Sequence, residues 1–424
     1  VAAPGAGKTT AVLLPKIKQF LEKEEVGNDE VLLLTFSRMS AKDLREKVSL
    51  LDKKPVATTV HSYCLSFLLS ENNHQIRNRV DNILLDFEKD VLLSDLKVVF
   101  PKVNKRELKK LLAEFSSGWA TKQQDEIFNE DEQRESFRLA VGNWLIEHEA
   151  AMMEEIIYHA VDLAKKIHGS KMIEKPKYIF VDEFQDLNKL EQEFINVLAE
   201  NSNLLLVVGD PDQSIYSFKF AHRDGIKEFG ERKDVESHEW SISRRCPKKV
   251  IEIANQVLKQ SEPARTNLLQ AFPDAIDGLV RLVSKDFQEE EFGHVVADIA
   301  ERIKSGSNPG SFLVLVPKKK LGQEFSDSAN SQRESLGIPP QCEFSFLSRP
   351  EFSSDVQKKL LLLSLIVHPN SILHIRSYLG IGDTNHYAKE FVILKKKYGS
   401  LNEAFVRADQ NDFPSKNSRT RDLC

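Results

Sequence analysis

The sequence predicts an α/β fold built around a parallel sheet that is buried on both faces. Three observations carry this prediction. Apolar runs recur without polar alternation at Val31–Thr35, Tyr178–Asp182, Leu204–Gly209 and Phe312–Pro317, each ending in polar residues, glycine or proline. A strand covered on one face alternates apolar and polar residues, whereas one covered on both faces does not. Helical spacing lies between the runs, with Ala41, Leu44 and Val48 at i, i+3 and i+7 inside Ser40–Leu51, and again over Leu190–Leu198. Strands that alternate with helices in this way make a doubly wound sheet.

Composition bounds the answer. At roughly 100–200 residues per domain, 424 residues imply two to four domains. A hydrophobic fraction of 41% and a charged fraction of 29% exclude collagen-like, disulfide-scaffold and disordered chains. The formal net charge of −5 gives no global basic field, so nucleic-acid binding would need a local groove. Cys64, Cys246, Cys342 and Cys424 are far apart, which argues against a zinc or iron–sulfur site in one segment. The same pattern fits a reducing cytosol, and a cytoplasmic location is expected. No apolar run reaches the roughly 18 residues of a membrane span, and Leu360–Val367 reads as a core helix. The chain opens on Val1, and its first motif follows at once, so a cut N-terminus is expected and no targeting signal is read.

The organisation follows from shifts in pattern. Residues 1–74 and 171–262 read as two parts of one α/β domain. Residues 75–170 are rich in Leu, Lys and Glu and read as a helical insertion. It carries Lys97, Lys102, Lys105, Arg106, Lys109 and Lys110, opposed within that run only by Glu107, and then an acidic stretch from Asp125 to Glu135. Near Ser261–Pro263 a boundary is expected, with residues 263–348 starting a second α/β domain and 349–424 turning helical again.

The chemistry sits at the ends of the apolar runs. Ala2, Ala3, Pro4, Gly5, Ala6, Gly7, Lys8 and Thr9 match a P-loop with Ala in place of its first Gly, and Thr10 follows. Gly5 and Gly7 let successive backbone N–H groups turn inward around a phosphate, and the following helix adds its positive end. Lys8 would reach the β- and γ-phosphates, and the Thr9 hydroxyl would ligate Mg²⁺. After the second run, Val181–Asp186 places Asp182 to hold Mg²⁺ through its water shell and Glu183 to orient and deprotonate water. After the third run, Gln213 is placed to sense a γ-phosphate, with Tyr216 and Phe218 just behind it. Such rings either stack on unpaired bases or belong to a core. In Ser243–Pro247, Arg244 and Arg245 offer a guanidinium to the γ-phosphate, or else form a surface pair.

At this point the motifs resemble those of UvrD/Rep-type superfamily 1 DNA helicases. The order matches: the P-loop, Leu34–Ser37 with Ala41 and Arg45, Thr58–Ser62, Val181–Asp186, Gly209–Tyr216 with Phe218, and Ser243–Pro247 followed by Ile253–Asn255. The resemblance is strong over about residues 1–260. It continues weakly to about 385 through Gly337–Pro339 and His368–Asn370. It implies a RecA-like P-loop NTPase with a parallel sheet, a helical insertion and a partial second α/β domain. It implies ATP and Mg²⁺ as cofactors, and an ATP-dependent motor that steps along single-stranded DNA, usually 3′ to 5′, and opens single/double-strand junctions. On that basis Lys8, Thr9, Asp182, Glu183, Gln213 and Arg245 take nucleotide roles. Thr35, Phe36, His61, Tyr216, Phe218 and Lys219 take DNA roles. The Lys97–Lys110 cluster falls in the insertion that meets duplex DNA in the family, and it either does so here or is a solvated helix face.

The sequence departs from the family in several places. The adenine-reading glutamine would precede Val1. Thr10 stands where an Arg is frequent, Arg244 where a Tyr stacks on adenine, and Phe220 where Gly is usual. The T-x-H-x-x-K-G-x-E and Y-V-A-x-T-R-A-R segments of the second half are not found, and Arg419–Arg421 lacks the apolar strand that would precede the latter. A fragment of a longer protein is therefore expected. The alternative is an ATP-gated DNA-binding module without motor activity. A P-loop kinase or GTPase is disfavoured, because Asn188–Glu191 fails the N-K-x-D pattern at its last residue.

Overall fold

The computed structural model describes residues 1–22, 26–51, 53–70, 76–121, 132–168, 176–347, 353–381, 384–399, 401 and 403. The chain divides into two compact units, 1–278 with 354–424, and 279–353. Residues 125–131 of the acidic stretch, Arg349 and the Arg419–Arg421 tail lie outside the described residues.

The larger unit holds a four-stranded parallel sheet of β1 (Val31–Thr35), β2 (Val56–Thr59), β3 (Tyr178–Asp182) and β4 (Leu204–Val207), in the order β2-β1-β3-β4. β1 is buried along its whole length, as its unbroken apolar run predicts. In register, Thr35 of β1 faces Thr59 on one side and Asp182 on the other. Three strand ends thus come level at the carboxyl edge, where sheets of this kind bind ligands. The segment before the P-loop adds to the same edge. Ala2 N–H donates to Gly209 O at 3.0 Å, and Ala3 N–H donates to Trp240 O at 2.7 Å.

The helix after β1 runs from Arg38 to Val48, two residues ahead of the expected start, because the Ser37 side chain accepts from Ser40 N–H and caps it there. Ala41, Leu44 and Val48 form its buried face, as their spacing requires. The helix Lys189–Ala199 is set by a reciprocal cap between Asn188 and Glu191. Helices fill the insertion at Asp86–Val99, Lys105–Thr121 and Glu132–Glu147, around Leu92, Leu108, Phe137 and Val141. The last helix of that stretch, Met153–His168, packs through Ile156, Ile157 and Ala160 into the core beside the sheet.

The basic cluster is better compensated than the sequence suggests. Folding brings Asp90 to within 3.5 Å of Lys105 and 3.6 Å of Lys109, and Glu114 to 3.7 Å of Lys110. Helices Ile372–Leu379 and Thr384–Tyr398 pack on the insertion. Their link is a buried polar cluster. Both Arg376 Nη atoms bond the Asp95 carboxylate, Trp144 Nε1 donates to the same carboxylate at 2.7 Å, and His148 Nε2 lies 3.2 Å from Arg376. The Phe391 ring lies 4.2 Å from the guanidinium.

Two expectations need correction. Leu360–Val367 does not form a core helix: in Ser354–Val367 only Leu361 is buried, and Leu363, Ile366 and Val367 are exposed. Phe312–Pro317 forms no strand. Leu313 and Leu315 are exposed there, and no neighbouring segment among the described residues offers a ladder. An apolar run becomes a strand only where its N–H and C=O groups find partners. The smaller unit is held by helices Gln288–Lys304 and Lys319–Gln332, whose Phe292 and Phe325 rings meet edge to face at 5.2 Å. No helix among the described residues is long and apolar enough to cross a membrane.

Candidate nucleotide and nucleic-acid site

The P-loop bends where the backbone demands glycine. Gly5 has φ +70° and Gly7 φ +95°, a region that side-chain-bearing residues rarely enter. Gly5 also packs against Ser243–Arg245: its carbonyl accepts from Arg244 N–H at 3.0 Å, and an added Cβ would lie 2.5 Å from Arg245 Cβ. The loop therefore carries Arg245 at its side, with both arginines exposed and the Arg244 guanidinium 5.5 Å from the Phe272 ring centre. Ala2, Ala3 and Ala6 are buried under the loop, Pro4 is half-buried and Thr10 is exposed. Lys8 opens a wide π-turn, Lys8–Leu13, that continues as helix Leu14–Leu21. Pro15 has no amide hydrogen for an α-type bond to Ala11, which accounts for the wide turn. The Lys8 ammonium is buried, 3.4 Å from Ala2 O and 3.7 Å from Glu183 Oε2.

A set of carboxylates faces that one ammonium. Asp182 ends β3 and accepts from Thr9 Oγ1 at 2.8 Å. Burial, reinforced by the neighbouring Glu183 charge, pushes Asp182 up to about 6. Asp186 is likewise pushed up to about 6, first by burial and then by Glu183, against the pull of Lys8 and the Gln185 amide. Its Oδ1 is buried with no hydrogen-bond partner. Glu183 has φ +54°, a left-handed conformation that costs a non-glycine residue about 1–2 kcal/mol. Such strain is commonly stored where a side chain must be aimed. Surplus buried negative charge beside a hydroxyl and a carboxylate in contact fits Mg²⁺, which takes few protein ligands and fills the rest with phosphate and water. Thr9 and Asp182 are the residues that would hold it.

The loop after β4 leaves from the same place. Gln185, 1% exposed, accepts from Asp210 N–H at 2.9 Å and donates to Glu183 Oε2 at 3.0 Å. The Asp210 carboxylate accepts from Asp212 N–H at 3.0 Å and from Gln213 Nε2 at 2.7 Å. Gln213 thus points back into the loop. Arg265 grips the Asp212 carboxylate through both its Nη atoms. Neither role is legible in the sequence: Gln185 lies inside the Val181–Asp186 motif, whose carboxylates dominate its signal, and nothing local marks Arg265.

Beyond Gln213 the loop builds an aromatic surface. The Phe36 and Tyr216 rings lie 4.8 Å apart, and Tyr216 and Phe218 5.9 Å apart. The Lys219 ammonium sits 4.9, 5.3 and 6.0 Å from the centres of Phe36, Tyr216 and Phe218. Phe218 is 71% exposed, so it is not a core residue. Phe220 has φ +62°, which explains why glycine suits this position. The other two residues expected to touch DNA stand apart from this surface. Thr35 is fully buried in the sheet, its hydroxyl unpartnered, and is out of reach of an external strand. His61 lies 3.0 Å from the buried Glu191. Burial opposes the charge on its ring, but the Glu191 carboxylate prevails and raises the pKa.

These features define a P-loop nucleotide site at the carboxyl edge of a parallel sheet, one loop away from an exposed aromatic and cationic surface. Residues 1–234 match the UvrD/REP helicase N-terminal domain, over more than half of the chain, and the chain belongs to that family. It is 27% identical over 347 residues to a probable DNA helicase II homolog of Mycoplasma capricolum, covering 77% of this chain and 47% of that protein. It is 25% identical over 332 residues to the ATP-dependent DNA helicase PcrA of Staphylococcus epidermidis, covering 74% and 45%. Staphylococcus aureus PcrA is 28% identical over 281 residues, covering 62% and 38%. The chain thus spans less than half the length of these relatives.

Proposed function

We propose that this chain forms the ATP-binding and DNA-gripping part of an ATP-dependent DNA helicase that moves 3′ to 5′ on single strands. The observation that carries the reading is the single loop, 209–222, that begins beside Glu183 and ends in the Phe36–Tyr216–Phe218–Lys219 surface. In this reading the P-loop N–H groups and Lys8 hold the phosphates. Thr9 and Asp182 hold Mg²⁺, which supplies charge neutralisation at the phosphates when bound. Glu183 orients the attacking water and takes its proton, and Gln213 and Arg245 meet the γ-phosphate side. Phe218 stacks on a base and Lys219 leaves the rings for a backbone phosphate. Thr35 is left out of the DNA contacts. Among the two insertion residues Lys102 and Arg106, both exposed, lies the surface proposed to meet the duplex at a junction.

The supporting experiment compares wild type with F218A. Single-strand affinity should weaken by about 1–3 kcal/mol, as for a lost stacked base, while ATP affinity is kept. Duplexes with 3′ or 5′ single-stranded tails then read direction, and unwinding from the 3′ tail is expected. Unchanged single-strand affinity in F218A would sink the stacking role.

A further inference from the structure

We propose that Gln185 is a positioning residue that couples the hydrolytic carboxylate to the nucleic-acid surface. The proposal rests on the function given above. The Gln185 side chain is buried and its amide is used at both ends, by Asp210 N–H at 2.9 Å and by Glu183 Oε2 at 3.0 Å. A backbone N–H can only donate and an ionised carboxylate can only accept. The amide oxygen must therefore face Asp210 and the amide nitrogen Glu183, so the side chain has a single working orientation. Glutamate would lack the donor, and methionine would lack both groups.

The loop that Gln185 holds leaves the end of β4 beside it, where Gly209 O also accepts from Ala2 N–H at 3.0 Å. Gly209 sits so close that an added Cβ would lie 2.3 Å from Gln185 Oε1. Ser214 Oγ donates to the Gln185 carbonyl at 3.3 Å, and at the far end His222 N–H donates to Leu187 O at 2.8 Å. Tyr216, Phe218 and Lys219 lie between these anchors. Both ends of the loop are therefore pinned to the short turn that carries Glu183. Arg265 braces Asp212 from the other side, which gives the loop a fixed pivot. When the Glu183 carboxylate shifts toward a bound nucleotide, the amide transmits that shift to Asp210 N–H. Displacement of the aromatic surface by a nucleic acid acts back along the same two bonds, because coupling between binding sites is reciprocal.

The test uses the full-length protein with Gln185→Met, which keeps the volume and loses both bonds. Two ratios are measured: the stimulation of ATP hydrolysis by a single-stranded oligonucleotide, and the change in oligonucleotide affinity caused by a non-hydrolysable ATP analogue with Mg²⁺. Each ratio is expected to move toward one by about fivefold or more. A residue that merely holds Glu183 would scale basal and stimulated rates alike. Both ratios would then stay at their wild-type values, and the proposal would be overturned. If the Met variant does not melt cooperatively, Gln185→Glu carries the test, since it keeps the acceptor for Asp210 N–H and replaces the donor to Glu183 by a second carboxylate that repels it. Wild-type protein whose hydrolysis ignores DNA would overturn the function itself, a result distinct from intact coupling in the variants.

Discussion

Gly5→Ala isolates how tightly the P-loop is fitted to the Ser243–Arg245 segment beside it. The added methyl meets two separate penalties. With φ at +70°, a side chain costs about 1–2 kcal/mol of backbone strain. The new Cβ would also sit 2.5 Å from Arg245 Cβ, 3.0 Å from Ser243 Oγ and 3.3 Å from Arg245 N. Carbon atoms prefer about 3.5–4.0 Å, and the first obstacle is a Cβ fixed to backbone, so no rotamer change relieves it. Overpacking of this kind costs about 1–3 kcal/mol. The variant should therefore lose about 2–5 kcal/mol in urea unfolding, and Arg244 N–H should lose its bond to the Gly5 carbonyl. ATP affinity should fall with it, because the loop and the segment carrying Arg244 and Arg245 part. Gly142→Ala is the matched control. Gly142 lies inside helix Glu132–Glu147 with no atom within 4 Å of an added Cβ, so that change should stabilise by about 0.5–1 kcal/mol. A Gly5→Ala protein as stable as wild type, with unaltered ATP affinity, would mean that the loop has room for a side chain at this position.

Glu88 and Arg376 give two further expectations. Burial pushes Glu88 up to about 7, although it accepts from Leu85 N–H at 2.9 Å. Because the folded-state value lies above the ordinary one, its contribution is fully present below about pH 4.5 and is lost as pH rises through 7. E88Q keeps the acceptor and should be more stable than wild type at pH 8, by up to about 3 kcal/mol, and no different at pH 4, in parallel urea titrations. Equal stability at pH 8 would mean that the carboxyl ionises freely. R376M leaves the Asp95 charge buried and should cost about 3–5 kcal/mol, while D95N/R376M should recover at least about 1 kcal/mol of that. A double variant worse than the single would show that the pair itself stabilises the packing.

Much of the sheet was legible because its signal is local. β1 and β3 coincide with their apolar runs, and β4 stops short of Gly209 because the chain turns there toward Gln185. The P-loop was legible because its two left-handed positions, φ +70° and +95°, call for glycine, and Gly5 and Gly7 stand at the spacing the motif needs. Interactions distant in sequence were not legible. Nothing near Lys105 announces Asp90, and nothing near Asp95 announces Arg376, 281 residues away. Thr35 shows the converse failure. It sits in a motif beside Phe36, yet it ends β1, a strand buried at every position, while Phe36, one residue past the strand, reaches the aromatic surface. Phe312–Pro317 has the composition of a strand, but pairing is a property of two segments, and composition describes only one.

The most direct test of the account is steady-state ATP hydrolysis by the full-length protein as single-stranded oligonucleotide is added. On this reading the rate rises with DNA and saturates, and Lys8→Ala, which removes the buried ammonium 3.7 Å from Glu183, abolishes turnover with or without DNA. A rate indifferent to DNA, or a Lys8→Ala protein that hydrolyses ATP as wild type does, would contradict it.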